Sequence, residues 1–302
     1  MKVPPFPPFP SSTLSAASPL LRATALELAI FCGHLLLYPS GIRAERSAES
    51  CRPLTAEQPS DASPRPTGPP LPAKPFTPAG PPAPSELPCP ARPPVVLLHG
   101  FADNRSVFVL LRRSLARHGW RHLASLNYSP LTCDIRAAAE LLGRHVEEVC
   151  ARTGHREVDI VGHSLGGLIA RYYAQRLGGD TRVRTLVTLG TPHEGTRVAP
   201  PMSAHPLVRQ MRPASSVIEE LALPAPGCRT RFVSFWSDLD QLMLPVETAR
   251  IHHPDLIARN VQVSGIGHLA LPVHPAVAAG IRQALQSREN VDADTAGSVS
   301  VA

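Results

Sequence analysis

Apolar and polar positions along the chain fall into three regimes. Residues 23–38 form a mostly apolar run of 16 residues, ATALELAIFCGHLLLY, broken by Glu27 and His34. Between residues 51 and 91 almost no apolar periodicity survives. From Arg92 to Ser287 short apolar runs alternate with stretches of helical period. The runs PPVVLLHGF, HLASLNY (122–128), EVDIVGH (157–163), VRTLVTLGTP (183–192), TRFVSFWSD (230–238) and NVQVSGIGH (260–268) predict buried strands. Helices are predicted around Val107–Arg117, from Asp134 through DIRAAAELLGRHVEEVCARTG, over SLGGLIARYYAQRLGG with Gly178-Gly179 as its stop, and over HPAVAAGIRQALQS. Short apolar strands alternating with helices predict an α/β domain, a mostly parallel central sheet covered by helices on both faces.

Composition sharpens the boundaries. Of 35 prolines, 23 lie at or before Pro94, and 16 of those fall between Pro53 and Pro94. That stretch favours extended polyproline conformations over a packed core, so it is read as a solvated spacer. The expected organisation is an N-terminal apolar export or anchor segment (1–50), a proline-rich disordered linker (51–91), a catalytic α/β domain (92–287) and a flexible C-terminal tail (288–302).

The N-terminal run has Arg22 before it and Arg43 and Arg46 after it. It is short for a spanning helix, which needs ~20 residues, and long for a signal-peptide core of ~7 to 15. No clear cleavage site follows. The expectation is an export signal or signal anchor, placing the catalytic part outside the cell or on the outer face of the membrane, with membrane association through residues 20–42.

Net charge is +6 and the pI about 9.3. Lys2 and Lys74 are the only lysines and the arginines are scattered, so the chain offers no basic tract for nucleic acid. Of the six cysteines, Cys133 and Cys150 bracket a predicted helix. Their separation there is ~25 Å at 1.5 Å per residue, and a disulfide needs Cα atoms within about 7 Å, so they cannot pair. No CxxC-type metal spacing occurs.

The candidate chemistry centres on VDIVGHSLGGLIARYY. Gly162-His163-Ser164-Leu165-Gly166 fits G-x-S-x-G, placed where a strand pattern becomes a helix pattern, the setting of a nucleophile elbow. Ser164 is the candidate nucleophile, and the helix N-terminus beside it adds unpaired N–H groups and the positive end of a dipole. A serine needs a base and a group to orient that base. His268, directly after the last strand, is the candidate base. His252 and His253 lack that context and suit a solvated helix end. Asp238 and Asp240 both follow a strand. Asp240 is preferred because Asp240-Gln241-Leu242-Met243 seats a carboxylate on a loop whose next residues pack inward, leaving Asp238 to cap that loop. The backbone N–H groups of Leu165 and Phe101 are the candidate oxyanion donors.

Together VVLLHGF, VDIVGHSLGGLIARYY, VRTLVTLGTPHEGT, SDLDQLMLP and VSGIGHLAL resemble, in that order, the bacterial triacylglycerol lipases and esterases of the α/β-hydrolase fold, particularly the small secreted type with little or no lid. The resemblance covers about residues 92–287 and implies Ser164, Asp240 and His268 as the triad, with Phe101 and Leu165 as oxyanion donors. It implies an ester or lipid substrate and neither cofactor nor metal, and the chain is expected to be a monomer. TLGTPHEGT looks like the family's loop beside the acyl pocket. The insertion between Thr196 and Leu223 holds one or two helical turns, too little for a full lid. Its Met202, Leu207, Val208, Met211 and Ile218 either line an acyl groove or cover the sheet. The same triad suits an acyltransferase, phospholipase or lipid-anchor deacylase, and a non-catalytic binding protein on this fold is the reading from another class.

Overall fold

The computed structural model describes residues 19–42, 92–101, 103–128, 134–199, 205–287 and 299–301. The chain divides into two units, Met1–Ala44 together with Arg92–Ala302, and Glu45–Ala91. The second unit, with the spacer expected at 51–91, lies outside the described residues, as does Cys133. The N-terminal helix α1 (Pro19–Ile42), within the segment expected at 1–50, clusters in the same unit as the α/β domain.

Seven strands form one parallel sheet in the order β2-β1-β3-β4-β5-β6-β7. They are β1 (Val95–Leu98), β2 (Leu123–Leu126), β3 (Val158–His163), β4 (Val183–Leu189), β5 (Arg231–Ser237), β6 (Ile257–Val263) and β7 (Val299–Val301). The helices that follow α1 are α2 (Val109–Arg117), α3 (Ile135–Thr153), α4 (Leu165–Arg176), α5 (Pro206–Gln210), α6 (Ser216–Ala222) and α7 (Pro275–Gln286). Within the tail expected at 288–302, residues 299–301 pair with the edge of β6 as a short strand.

The apolar runs are continuous because both sheet faces are covered. In β1, Val96 and Leu98 join the core beneath α3 and α4, whereas Val95 and Leu97 point to the opposite core beneath α2 and α7. The stripe Ile135, Ala138, Ala139, Leu142, Val146, Val149 and Cys150 fixes the buried face of α3 at helical spacing. Asp134 caps that helix by accepting from the Ala137 N–H at 2.7 Å, and Gly154 ends it with φ 72°. Each fully buried Leu or Val side chain contributes about 1.5–3 kcal/mol, so the register of α3 is set by this stripe.

Helix α4 is buried all round, from Leu165 to Gln175. Even Arg171 is enclosed, and its guanidinium donates to Gln175 Oε1 and to the carbonyls of His193 and Leu221. Burial pushes it down to about 10. The N-terminus of α4 is thereby held rigidly against the C-terminal ends of β1, β3 and β4.

Among the described residues no helix is long and apolar enough to cross a membrane. Cys32, Cys150 and Cys228 are free thiols.

Candidate active site

Ser164 sits between β3 and α4 with φ 52° and ψ −121°, a backbone conformation that side-chain-bearing residues rarely adopt. Such a conformation costs on the order of 1–3 kcal/mol and persists only where its surroundings over-determine it. Here the Ser164 N–H donates to the Leu189 carbonyl at 2.8 Å, and its carbonyl accepts from the Thr191 hydroxyl at 3.0 Å. The two flanking glycines have a steric reason. A Cβ on Gly162 would stand 2.6 Å from the Gly167 backbone, and one on Gly166 would stand 2.5 Å from the carbonyl oxygens of Leu98 and His99.

The loop after β1, His99-Gly100-Phe101, lies directly beside the serine, since a Cβ on Gly100 would be 3.3 Å from the Ser164 Cβ. Phe101, next to Gly100 in this loop, and Leu165, the first residue of α4, are the two candidate donors beside Ser164. Helical hydrogen bonding leaves first-turn N–H groups such as that of Leu165 without an intrahelical partner. The Phe101 ring meets His205 edge to face at 5.2 Å.

Asp240 and His268 come together from the loops after β5 and β6, adjacent strands 28 residues apart in sequence at this pair. His268 Nδ1 donates to Asp240 Oδ2 at 2.8 Å, and both residues are almost fully enclosed. Asp240 Oδ1 accepts from the N–H groups of Leu242 at 2.9 Å and Met243 at 3.2 Å, so both oxygens are held. With Nδ1 engaged as donor, Nε2 is the nitrogen left to act as a base. Burial opposes the charged imidazole, but the charge and hydrogen bond of Asp240, joined by the carboxylates of Glu27 and Asp103, outweigh it and hold His268 above its ordinary value.

The expected inward packing after Asp240 is only half right. Met243 is buried against Trp236 and Ala249, whereas Leu242 points to solvent, and the carboxylate is fixed by the two N–H groups rather than by packing of both side chains. Asp238 plays the separate part expected of it, accepting from the Gly265 N–H at 3.2 Å and lacing the acid loop to the base loop. His252 pairs with Glu194 at 3.1 Å and His253 Nε2 meets the Leu223 carbonyl at 3.0 Å, both away from the dyad.

Several contributors escaped the sequence reading. His163, the variable residue of G-x-S-x-G, is wholly enclosed, its ring centroid 4.7 Å from that of His268. Its Nε2 donates to the His268 carbonyl at 3.3 Å while Nδ1 faces Asp103 Oδ2 at 3.3 Å. Burial does most to lower its pKa, and by these contacts the ring bridges the loop after β1 and the loop that carries His268. Tyr128 stacks on His99 with ring centroids 4.4 Å apart and its hydroxyl donates to the His99 carbonyl, fixing the start of the oxyanion loop. Position within the elbow was the one available signal for His163; nothing local marks Tyr128.

In TLGTPHEGT, Thr191 binds the Ser164 carbonyl, and His193 is buried with Nε2 2.9 Å from Thr188 Oγ1, so this loop braces the elbow from beneath. In the insertion, Leu207 is fully buried in the core shared with α3 and α4, and Met211 and Ile218 pack against that core. Of the two readings of this stretch, covering the body describes these three, and Met202 lies outside the described residues. Among the described residues no three His, Cys, Asp or Glu side chains gather to hold an ion.

Residues 93–216 match the family model for the alpha/beta hydrolase fold. Over 115 residues the chain is 33% identical to a triacylglycerol lipase of Pseudarthrobacter phenanthrenivorans, covering 36% of this chain and 35% of that protein. A triacylglycerol lipase of Burkholderia plantarii is also 33% identical over 115 residues, covering 36% of this chain and 32% of the relative. The chain thus spans about a third of the length of these curated relatives. The crystal structure of Bacillus licheniformis lipase BlEst2 in its mature form superposes with a TM-score of 0.56 at 17% identity, covering 67% of this chain and 96% of that one, a likeness of fold. A parallel sheet with a strained serine elbow at the end of β3, together with the match of residues 93–216, gives this chain the α/β-hydrolase fold.

Proposed function

We propose that the chain is a serine carboxylester hydrolase acting on lipid esters, a triacylglycerol lipase by substrate class. The observation that carries this reading is the buried His268–Asp240 pair at 2.8 Å, standing beside an elbow whose serine is held at positive φ. In this mechanism Ser164 Oγ attacks the ester carbonyl and His268 Nε2 takes its proton. The tetrahedral oxyanion is met by the N–H groups of Phe101 and Leu165. His268 then gives its proton to the leaving alkoxide, and water repeats the sequence on the acyl-enzyme to release the acid. Asp240 holds the imidazole tautomer throughout.

The similarity to triacylglycerol lipases supports the choice of substrate. Exposed Leu26, Leu28, Phe31 and Leu36 on α1 support an association of this helix with a lipid surface. The test is hydrolysis of p-nitrophenyl esters from acetate to palmitate by the full chain and by Ser164→Ala. Loss of more than about 10⁴-fold in kcat in the variant is expected, with wild-type rates rising toward long acyl chains. A short-chain optimum would make the protein an esterase, and hydrolysis indifferent to Ser164 would reject the mechanism. New ester formed in preference to free acid, when an alcohol is added, would make it an acyltransferase.

A further inference from the structure

Glu27 is the sole acidic residue between Met1 and Ala44, and it interrupts an otherwise apolar run. No membrane-anchoring role explains a carboxylate there. In the structure its two oxygens leave α1 and settle on the loop that carries His268. Oε2 accepts from the Leu269 N–H at 2.8 Å and Oε1 from the Ala270 N–H at 2.9 Å. The loop is shaped to admit it, because a Cβ on Gly267 would fall 2.5 Å from Glu27 Cγ and Cδ.

The contact is one of a row. Thr24, one turn earlier, accepts from Gln241 Nε2 at 3.2 Å, and Gln241 is the neighbour of Asp240. Ile30, one turn later, packs against the core that contains Ile266, Ala270 and Leu271. α1 also runs along Arg105–Phe108, the segment that follows the oxyanion loop. The face 24/27/30 thus touches the supports of the acid and the base together.

We propose that Glu27 is a positioning residue for His268, and that α1 is a working part of the catalytic body through it. This rests on the hydrolase reading above. The physical reason is the freedom of the base loop. It leaves β6 through Gly265 at φ 82° and passes Gly267, so local sterics do not fix it. Asp238 holds it at the Gly265 N–H, and Glu27 holds it on the other side of His268 with two charge-assisted hydrogen bonds. Catalytic groups displaced by about 1 Å lose on the order of 10²-fold in rate, so a loop tethered at both ends serves the base directly. The carboxylate also adds negative charge beside the imidazolium that forms during turnover. The charged and titratable groups facing His268 are Asp240 from the acid loop, Asp103 from the oxyanion loop, His163 from the elbow and Glu27 from α1.

The test uses the full chain with Glu27→Leu, the near-isosteric Glu27→Gln and the conservative Glu27→Asp. Three quantities are read: kcat and KM on a short-chain ester across pH, the His268 ring titration by NMR, and hydrogen exchange of the Leu269 and Ala270 amides. Glu27→Leu should lower kcat by on the order of ten-fold with little change in KM. It should also move the acidic limb of kcat/KM and the ring titration to lower pH, and speed exchange at both amides. Glu27→Gln should do the same in smaller measure, which covers failure of the leucine variant to fold, and Glu27→Asp should recover part of the rate. A ring titration and amide exchange unmoved in both Glu27→Leu and Glu27→Gln would overturn the proposal, as would a fall in kcat without movement of either. Both spectroscopic readouts are independent of substrate, so a wild type lacking Ser164-dependent hydrolysis would defeat the hydrolase reading without disturbing this comparison.

Discussion

Asp240 binds His268 with one oxygen and the Leu242 and Met243 N–H groups with the other, so its charge is aimed and immobile. Asp240→Asn would keep the shape while favouring the wrong imidazole tautomer, and kcat should fall about 10⁴-fold. The base acts only when Nε2 is unprotonated, so kcat/KM should rise with pH through a limb lying above the ordinary imidazole value of about 6.5. Removing the carboxylate that does most to raise His268 should move that limb downward, and pH–rate profiles of the two proteins check the sign. Gly190 offers a steric counterpart. It has φ 52°, and a Cβ there would lie 2.9 Å from both Asp240 Oδ2 and His268 Nδ1. Gly190→Ala should therefore part the acid from the base and lower kcat by on the order of 10²-fold. Steady-state kinetics beside a circular dichroism spectrum would separate this from misfolding. Ser164, His268 and Asp240 were legible as candidates because elbow chemistry and chain order constrain them. His163, Asp103 and Tyr128 were not, since their parts are defined by what stands across from them in space.

At the scale of elements, the central strands announced themselves because burial on both faces keeps most of their positions apolar. β6 shows the converse: its first three residues are exposed and the polar pair Arg259-Asn260 interrupts its apolar run, so the strand begins three residues earlier than the run predicted from Asn260. β7 carries no signal of its own and exists through pairing with β6. One buried charge binds elements together. Asp159 in β3 is fully enclosed and is held in a two-pronged pair by Arg184 of β4, at 2.9 and 2.6 Å, while Arg184 Nη2 also donates to the Leu285 carbonyl of α7 at 2.8 Å. Arg184→Ala would strand the carboxylate in the core and should cost about 3–5 kcal/mol. Urea unfolding followed by fluorescence measures that loss directly.

Over the whole molecule, the candidate nucleophile, oxyanion donors, acid and base all follow the C-terminal ends of parallel strands β3, β1, β5 and β6, so one edge of the sheet gathers them. α1 extends that edge with its docked face and leaves Leu28, Phe31 and Leu36 open on the rest of its surface. Burying an exposed leucine in a lipid surface contributes about 1.5–3 kcal/mol. The full chain should accordingly co-sediment with phospholipid vesicles, and Leu28→Ser with Leu36→Ser should weaken that partition by more than about ten-fold. Ester hydrolysis of dissolved short-chain substrates should be unaffected by these two changes, which touch neither dyad nor elbow.

The amino-acid sequence alone determined the alternating α/β order and the serine elbow and singled out Asp240 and His268 as the candidate acid and base, because these depend on local periodicity, steric demands of a five-residue turn and chain order. Tertiary structure decided the rest. It turned an apolar run with an isolated glutamate into a helix seated on the loop that carries His268, and an unremarked histidine into a bridge between that loop and the loop after β1. Both outcomes depend on contacts between residues more than 100 positions apart, His163 with His268 and Glu27 with Leu269, which no local pattern encodes.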